Sequence, residues 1–103
     1  MFARLVTTHI KPGNFDLVTR KFEEKVIPTL RKQAGFRDEV SFFDADKDES
    51  VAISFWNTEA DERKYAKDLY PEILKTLSDT FEGTPEVRRF EVANSTMYKI
   101  RAN

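Results

Sequence analysis

Ser50–Asp61 reads Ser-Val-Ala-Ile-Ser-Phe-Trp-Asn-Thr-Glu-Ala-Asp, and it joins a two-faced strand to a helix start with the chain's only tryptophan near the junction. Val51, Ile53 and Phe55 alternate with Ala52, Ser54 and Trp56, the period of two that sends successive side chains to opposite faces of a sheet. Thr58 followed three residues later by Asp61 predicts a capped helix start, because the Thr hydroxyl can accept from an amide with no partner in the first turn. A strand, a short turn and a capped helix point to an architecture and leave the reaction open.

Upstream of this stretch, Phe36–Ala45 carries Phe36, Val40, Phe42 and Phe43 and predicts the other arm of a β-hairpin, with a charged tip over residues 44–49. Before it, Phe2–Ile10 predicts a first strand closed by Lys11-Pro12-Gly13. Asn14 then opens a helix whose Phe15, Val18, Phe22, Val26 and Leu30 form one apolar stripe at spacings of three and four. Pro28 removes one backbone donor, which predicts a kink or short break near Ile27, and Gly35 ends the helix. Downstream, the helix from Thr58 is interrupted at Tyr70-Pro71 and resumes with Ile73, Leu74, Leu77 and Phe81 until Gly83 and Pro85 stop it. Val87–Val92 is the expected last strand, and Asn94–Asn103 either prolongs it or crosses onto a partner.

The order βαββαβ predicts an α+β, ferredoxin-like domain over residues 1–103, a four-stranded antiparallel sheet with both helices on one face. We expect Val51, Ile53 and Phe55 to pack on the helices with Val40 and Phe42. The other face then presents Ala52, Ser54 and Trp56 with Arg37, Glu39, Ser41 and Phe43, joined by Glu91. Phe43 and Trp56 make that face too apolar for water, and a domain of 103 residues buries only about 65% of its unfolded surface. Covering the face with a second copy predicts a homodimer.

Composition narrows the function classes. Hydrophobic residues at 40% exclude a disordered chain, and the 17 basic against 18 acidic residues, net charge −1, argue against a nucleic-acid partner. The absence of cysteine removes thiol nucleophiles, cysteine-ligated zinc and iron–sulfur clusters. With one histidine, a transition-metal site is not expected. Asp44, Asp46 and Asp48 imitate the opening of a calcium loop, but Glu49 stands where its glycine belongs and Phe55 where its closing glutamate belongs. No signal-peptide core or apolar run of about 20 residues occurs, so no membrane partner is expected and the cytoplasm is the expected compartment. RNA-recognition motifs share the βαββαβ order, yet the third strand lacks their aromatic signature.

Lys11-Pro12-Gly13 after the first strand, Gly35-Phe36 before the second, and Phe55-Trp56 before a capped helix, in this element order, resemble the dimeric α+β barrel superfamily. Within it the chain is most similar to the antibiotic biosynthesis monooxygenase (ABM) family. The resemblance runs from the first strand to Val92. It implies a homodimer with sheets face to face, each protomer holding a pocket between sheet and helices, and an activity among cofactor-independent oxygenases of aromatic polyketides, quinol oxidases and haem-degrading enzymes. Haem-degrading members pair the strand-terminal Trp with an Asn on the first strand and a His in the following helix. Trp56 matches, but the first strand has no Asn, and Tyr65 and Ala66 stand where the His is sought.

Two readings follow. In one, the protein binds a small hydrophobic or aromatic molecule and monooxygenates it with no cofactor. In the other, it is a non-catalytic dimeric binding or stress-associated protein. Trp56 either stacks on a planar ligand or fills a dimer interface or sheet edge. His9, whose ordinary pKa lies near neutrality, is the candidate catalytic base for a phenol-like substrate, although Leu5-Thr7-His9 and Val6-Thr8-Ile10 are both plausible inward sets. Tyr65 and Tyr70, beside the interruption at Pro71, and Phe43 are the remaining candidate ligand-binding residues. An enzyme requires a lined cavity with His9 or a tyrosine beside Trp56, whereas the non-catalytic reading has that space filled by Phe43, Phe55 or the partner.

Overall fold

The computed structural model describes residues 1–98. β1 (Phe2–Ile10) lies inside a four-stranded sheet of order β2-β3-β1-β4, in which β2 (Phe36–Asp44), β3 (Glu49–Trp56) and β4 (Phe81–Glu91) each run antiparallel to their neighbours. α1 (Phe15–Lys21) and α2 (Ile27–Arg31) connect β1 to β2, and α3 (Glu59–Asp68) and α4 (Tyr70–Leu77) connect β3 to β4. This is the ferredoxin-like arrangement that the element order predicts. No helix among the described residues is long and apolar enough to cross a membrane.

Local chemistry places most element boundaries. Thr58 caps α3, its hydroxyl accepting from the Asp61 amide at 3.1 Å. Pro28 has no amide hydrogen, and its ring crowds the carbonyl one turn back. The chain accommodates this with a π-helical turn over Phe22–Val26, in which the Ile27 amide reaches the Phe22 carbonyl, before α2 resumes. Gly35 follows at φ +80°, and a Cβ there would sit 2.0 Å from Asp61 Oδ2, so both conformation and space demand glycine.

The faces of the sheet are the reverse of those expected. Phe2, Arg4, Thr8 and Ile10 are buried under the helices, and register pairs Phe2 with Trp56, Arg4 with Ser54 and Val6 with Ala52. The set Ala52, Ser54 and Trp56 therefore faces the helices, together with Glu39, Ser41 and Phe43. Val51, Ile53 and Phe55 lie on the open face with Leu5, Val40, Phe42 and Phe90, of which Phe42 is 56% exposed. The expectation failed because it sent the larger aliphatic set to the helices, which holds only when the opposite face meets water. The helix stripe is bulky enough to form the core against Phe2 and Trp56 at one end, where Val26, Leu30, Tyr65, Ile73 and Leu77 cluster.

The end of the chain also differs from expectation. The last helical residues are the 3-10 turn Ser78–Thr80, and β4 starts at Phe81, taking in Gly83 and Pro85 instead of being preceded by them. A register shift opposite Thr8, between the pairs Thr7–Glu86 and His9–Glu82, absorbs Gly83, Thr84 and Pro85. An edge strand tolerates a proline and a bulge there because nothing further among the described residues pairs with its outer side. β4 ends at Glu91, and of the expected continuation over Asn94–Asn103, the described part is not strand; it brings Tyr98 against Phe55, ring centroids 5.5 Å apart. Residues 99–103 of that stretch lie outside the described residues.

Candidate functional site

The inverted faces create a cavity. Under a helical ceiling of Val18, Phe22, Val26, Leu30, Ile73 and Leu77, the sheet offers Ser41, Ser50, Ala52 and Ser54, whose side chains are too short to meet it. The remaining space is about 350 Å³, within the range of small-molecule sites. Its walls are largely apolar, and stacked Phe15 and Phe43, with centroids 4.0 Å apart, tie α1 to the edge strand.

One row of residues across the floor is polar on all four strands: Glu39 on β2, Ser54 on β3, Arg4 on β1 and Arg89 on β4, each in register with the next. Arg4 is 2% exposed and donates from Nη1 to Glu62 Oε2 at 2.7 Å, while Arg89 donates from Nε to Glu62 Oε1 at 2.8 Å. Glu62, fully buried, reaches the row because the Thr58 cap sets the phase of α3, which puts Glu62 and Tyr65, three residues apart, on its sheet-facing side. Both carboxylate oxygens are engaged, so two guanidinium groups meet one carboxylate and, among the described residues, the cluster keeps one unmatched positive charge. Arg4 lines the cavity with its guanidinium carbon 4.1 Å from the Tyr70 ring centroid and 5.7 Å from that of Tyr65.

Burial pushes the Tyr65 hydroxyl well above the ordinary phenol range, with Arg4 opposing the shift, and burial likewise raises Tyr70 against the opposing Arg4. Both are neutral phenols near pH 7, able to donate a hydrogen bond and unable to act as bases. Glu39 is raised by burial, an effect opposed by the hydrogen bond that Ser41 donates to its carboxylate.

Tyr65, Tyr70 and Phe43, three of the residues named from the sequence as candidate ligand contacts, line one cavity. Trp56 does not line it. It is fully buried, edge-on to Phe36, stacked on Tyr65 at 5.0 Å, with Nε1–H donated to Ser54 Oγ at 2.9 Å. That position is a core position under α3, one residue removed from the cavity behind Tyr65 and Ser54. His9 stands on the open face, 61% exposed, its Nε2 4.0 Å from Glu49 Oε2, away from Tyr65 and Tyr70. Sequence reasoning missed Arg4, Glu62, Arg89 and the inward placement of Glu39. The available signal was parity: Arg4 shares its strand face with Phe2, Val6 and Ile10, and a charge in such a set is buried with a partner or faces a ligand.

No family model and no curated protein matches the chain. Solved structures do. A monooxygenase from Streptomyces coelicolor, in complex with nanaomycin D, superposes with a TM-score of 0.78 at 18% identity, covering 95% of this chain and 92% of that one. SnoaB, a cofactor-independent oxygenase from Streptomyces nogalater, gives 0.73 at 16% identity over 92% and 95%. The fold is that of the ABM-like proteins. A protein of unknown function from Nitrosomonas europaea shares the ABM-like fold as well, with a TM-score of 0.76 at 14% identity over 99% and 95%. At these identities the ABM-like fold is what the likeness establishes.

Proposed function

We propose that this protein is a homodimer that binds a small planar aromatic molecule carrying an acidic hydroxyl or enolisable carbonyl, and oxygenates it without metal or flavin. The observation that carries the reading is Arg4: a buried guanidinium with an unmatched share of positive charge, lining an otherwise apolar cavity of about 350 Å³. An apolar aromatic body suits the walls. A phenolate or enolate oxygen set against Arg4 supplies the missing negative charge, and low polarity around the pair strengthens their attraction. Tyr70, neutral and beside Arg4, is available to donate to the same oxygen. For an anthrone-type methylene the overall change is one O₂ taken up, the CH₂ converted to a carbonyl, and one water released. The ABM-like neighbours that carry monooxygenase or oxygenase activities support this class of chemistry.

The open face supports the dimer. Leu5, Val40, Phe42, Val51, Ile53, Phe55 and Phe90 form one apolar surface, of a kind that monomers seldom leave wet. A non-catalytic binding role is the second reading, favoured by the packing of Trp56, which leaves it no direct ligand contact.

Trp56 emission tests the reading, because Trp56 stacks on the cavity-lining Tyr65. Titration with dithranol, a hydroxy-anthrone, is expected to quench it saturably, while haem does not, and the protein is expected to accelerate dithranol-dependent oxygen uptake. Quenching without accelerated uptake supports the binding role alone. No response to dithranol, a simple quinol or haem overturns both readings of the cavity.

A further inference from the structure

The cavity holds a cation at its inner end and lacks an evident base there: Glu62 is held by two arginines and both tyrosines are neutral. We propose that Glu39 is the proton acceptor, taking an acidic C–H or O–H proton from a ligand whose developing oxyanion faces Arg4. The proposal rests on the aromatic-ligand reading above and adds to it a catalytic residue on the opposite side of the same polar row.

Three features of the fold place Glu39 in this role. Register sets it opposite Ser54, which is itself opposite Arg4, so the carboxylate-bearing and guanidinium-bearing backbones stand two strand spacings apart, roughly 10 Å. A fused-ring ligand lying along the row therefore meets the base at one end and the cation at the other. Glu39 also lines a second, shallower groove of about 330 Å³ with Ile27, Arg31 and Arg37, and stands on the boundary between that groove and the cavity. A proton accepted from the cavity side has a short route to water. Ser41, two residues along the strand, donates to the Glu39 carboxylate and steadies its charged form.

The step balances with no added reactant. The Glu39 carboxylate takes the proton, the C–H electron pair moves into the ligand as an enolate, and the neutral Glu39 then gives the proton to water in the groove. The charged groups that line the cavity or the groove with Glu39 are Glu23 from the π-helical turn, Arg31 from α2, Arg4 from β1, and Arg37 and Asp38 from its own strand, while Ser54 of β3 stands opposite it. Partial burial is the main influence that raises the carboxyl above its ordinary value, which makes the carboxylate a stronger base.

The test separates proton transfer from oxygenation. Under nitrogen in D₂O, the intact protein is expected to accelerate exchange of the C10 methylene of anthrone, followed by proton NMR, with an acid limb above the ordinary glutamate range. Glu39→Gln is expected to lower the exchange rate about 100-fold and abolish the acid limb while anthrone still quenches Trp56. Glu39→Asp should retain part of the rate. Ser41→Ala, which removes the hydrogen bond favouring the charged form, should move the acid limb to higher pH, a change a packing role does not produce. Exchange undiminished in Glu39→Gln overturns this inference and leaves the binding reading standing. Failure of anthrone to quench Trp56 in the unaltered protein overturns the binding reading and this inference with it.

Discussion

Glu62 is the residue on which the interior depends most. It is fully buried and holds both Arg4 and Arg89, so Glu62→Ala leaves a buried guanidinium without its partner, a class of change that costs about 3–5 kcal/mol. Urea unfolding should show that loss, and a variant within 1 kcal/mol of the parent, on the order of an ordinary surface change, would contradict the cluster as described. Gly35 and Gly13 make a controlled pair, both at positive φ, near +80° and +83°. Alanine at Gly35 also collides with Asp61, whereas at Gly13 nothing lies within 4 Å. Gly35→Ala is therefore expected to destabilise by clearly more than Gly13→Ala, whose conformational cost is about 1 kcal/mol. The three tyrosines give a pH prediction. Tyr65 and Tyr70 are raised chiefly by burial, and Tyr98 is pushed up to about 12 by burial and then by Asp38. A phenol with a raised folded pKa keeps the folded state protonated after the unfolded chain has begun to lose its protons. Stability from these groups is present below about pH 10 and declines as pH rises through their folded values. Tyrosinate absorbance should appear later in the native protein than in urea. Coincident curves would refute the raised values.

At the level of elements, the short-range signals were accurate wherever one residue's chemistry decides. Thr58 caps α3 and thereby sets the phase that delivers Glu62 to the arginine pair and Tyr65 to the cavity. Thr58→Ala is expected to cost about 1 kcal/mol, within the usual range for a lost cap, and to weaken dithranol quenching of Trp56 if α3 loosens. Pro28 announced the irregularity of the first crossover, and Pro71 the boundary between α3 and α4. Three residues misled. Gly83 and Pro85 were expected to stop a helix, because both disfavour helix interiors, but the same properties suit a bulged edge strand. Phe81 fitted the apolar stripe of the preceding helix and instead begins β4, since one residue at the end of a periodic run satisfies either period.

For the molecule as a whole, the open face is the deciding feature. Phe42, 56% exposed among Val40, Val51 and Ile53, should lie at the centre of a two-fold contact. The parent protein is expected to sediment as a dimer at micromolar concentration, and Phe42→Glu to shift it towards monomer with its circular dichroism unchanged. A parent that sediments as a monomer would remove the dimer and leave the cavity intact. The element order, the hairpin and the capped helix were legible in the sequence, because turn residues, caps and hydrophobic period act over a few neighbouring positions. Which side of the sheet meets the helices was not. A strand's alternation defines two faces without saying what covers each, and here register between distant strands put the short side chains inward and the bulky ones outward. That choice opened the cavity, turned Glu39 into it, carried His9 away from it, and brought Arg4, Glu62 and Arg89, from β1, α3 and β4, into one cluster.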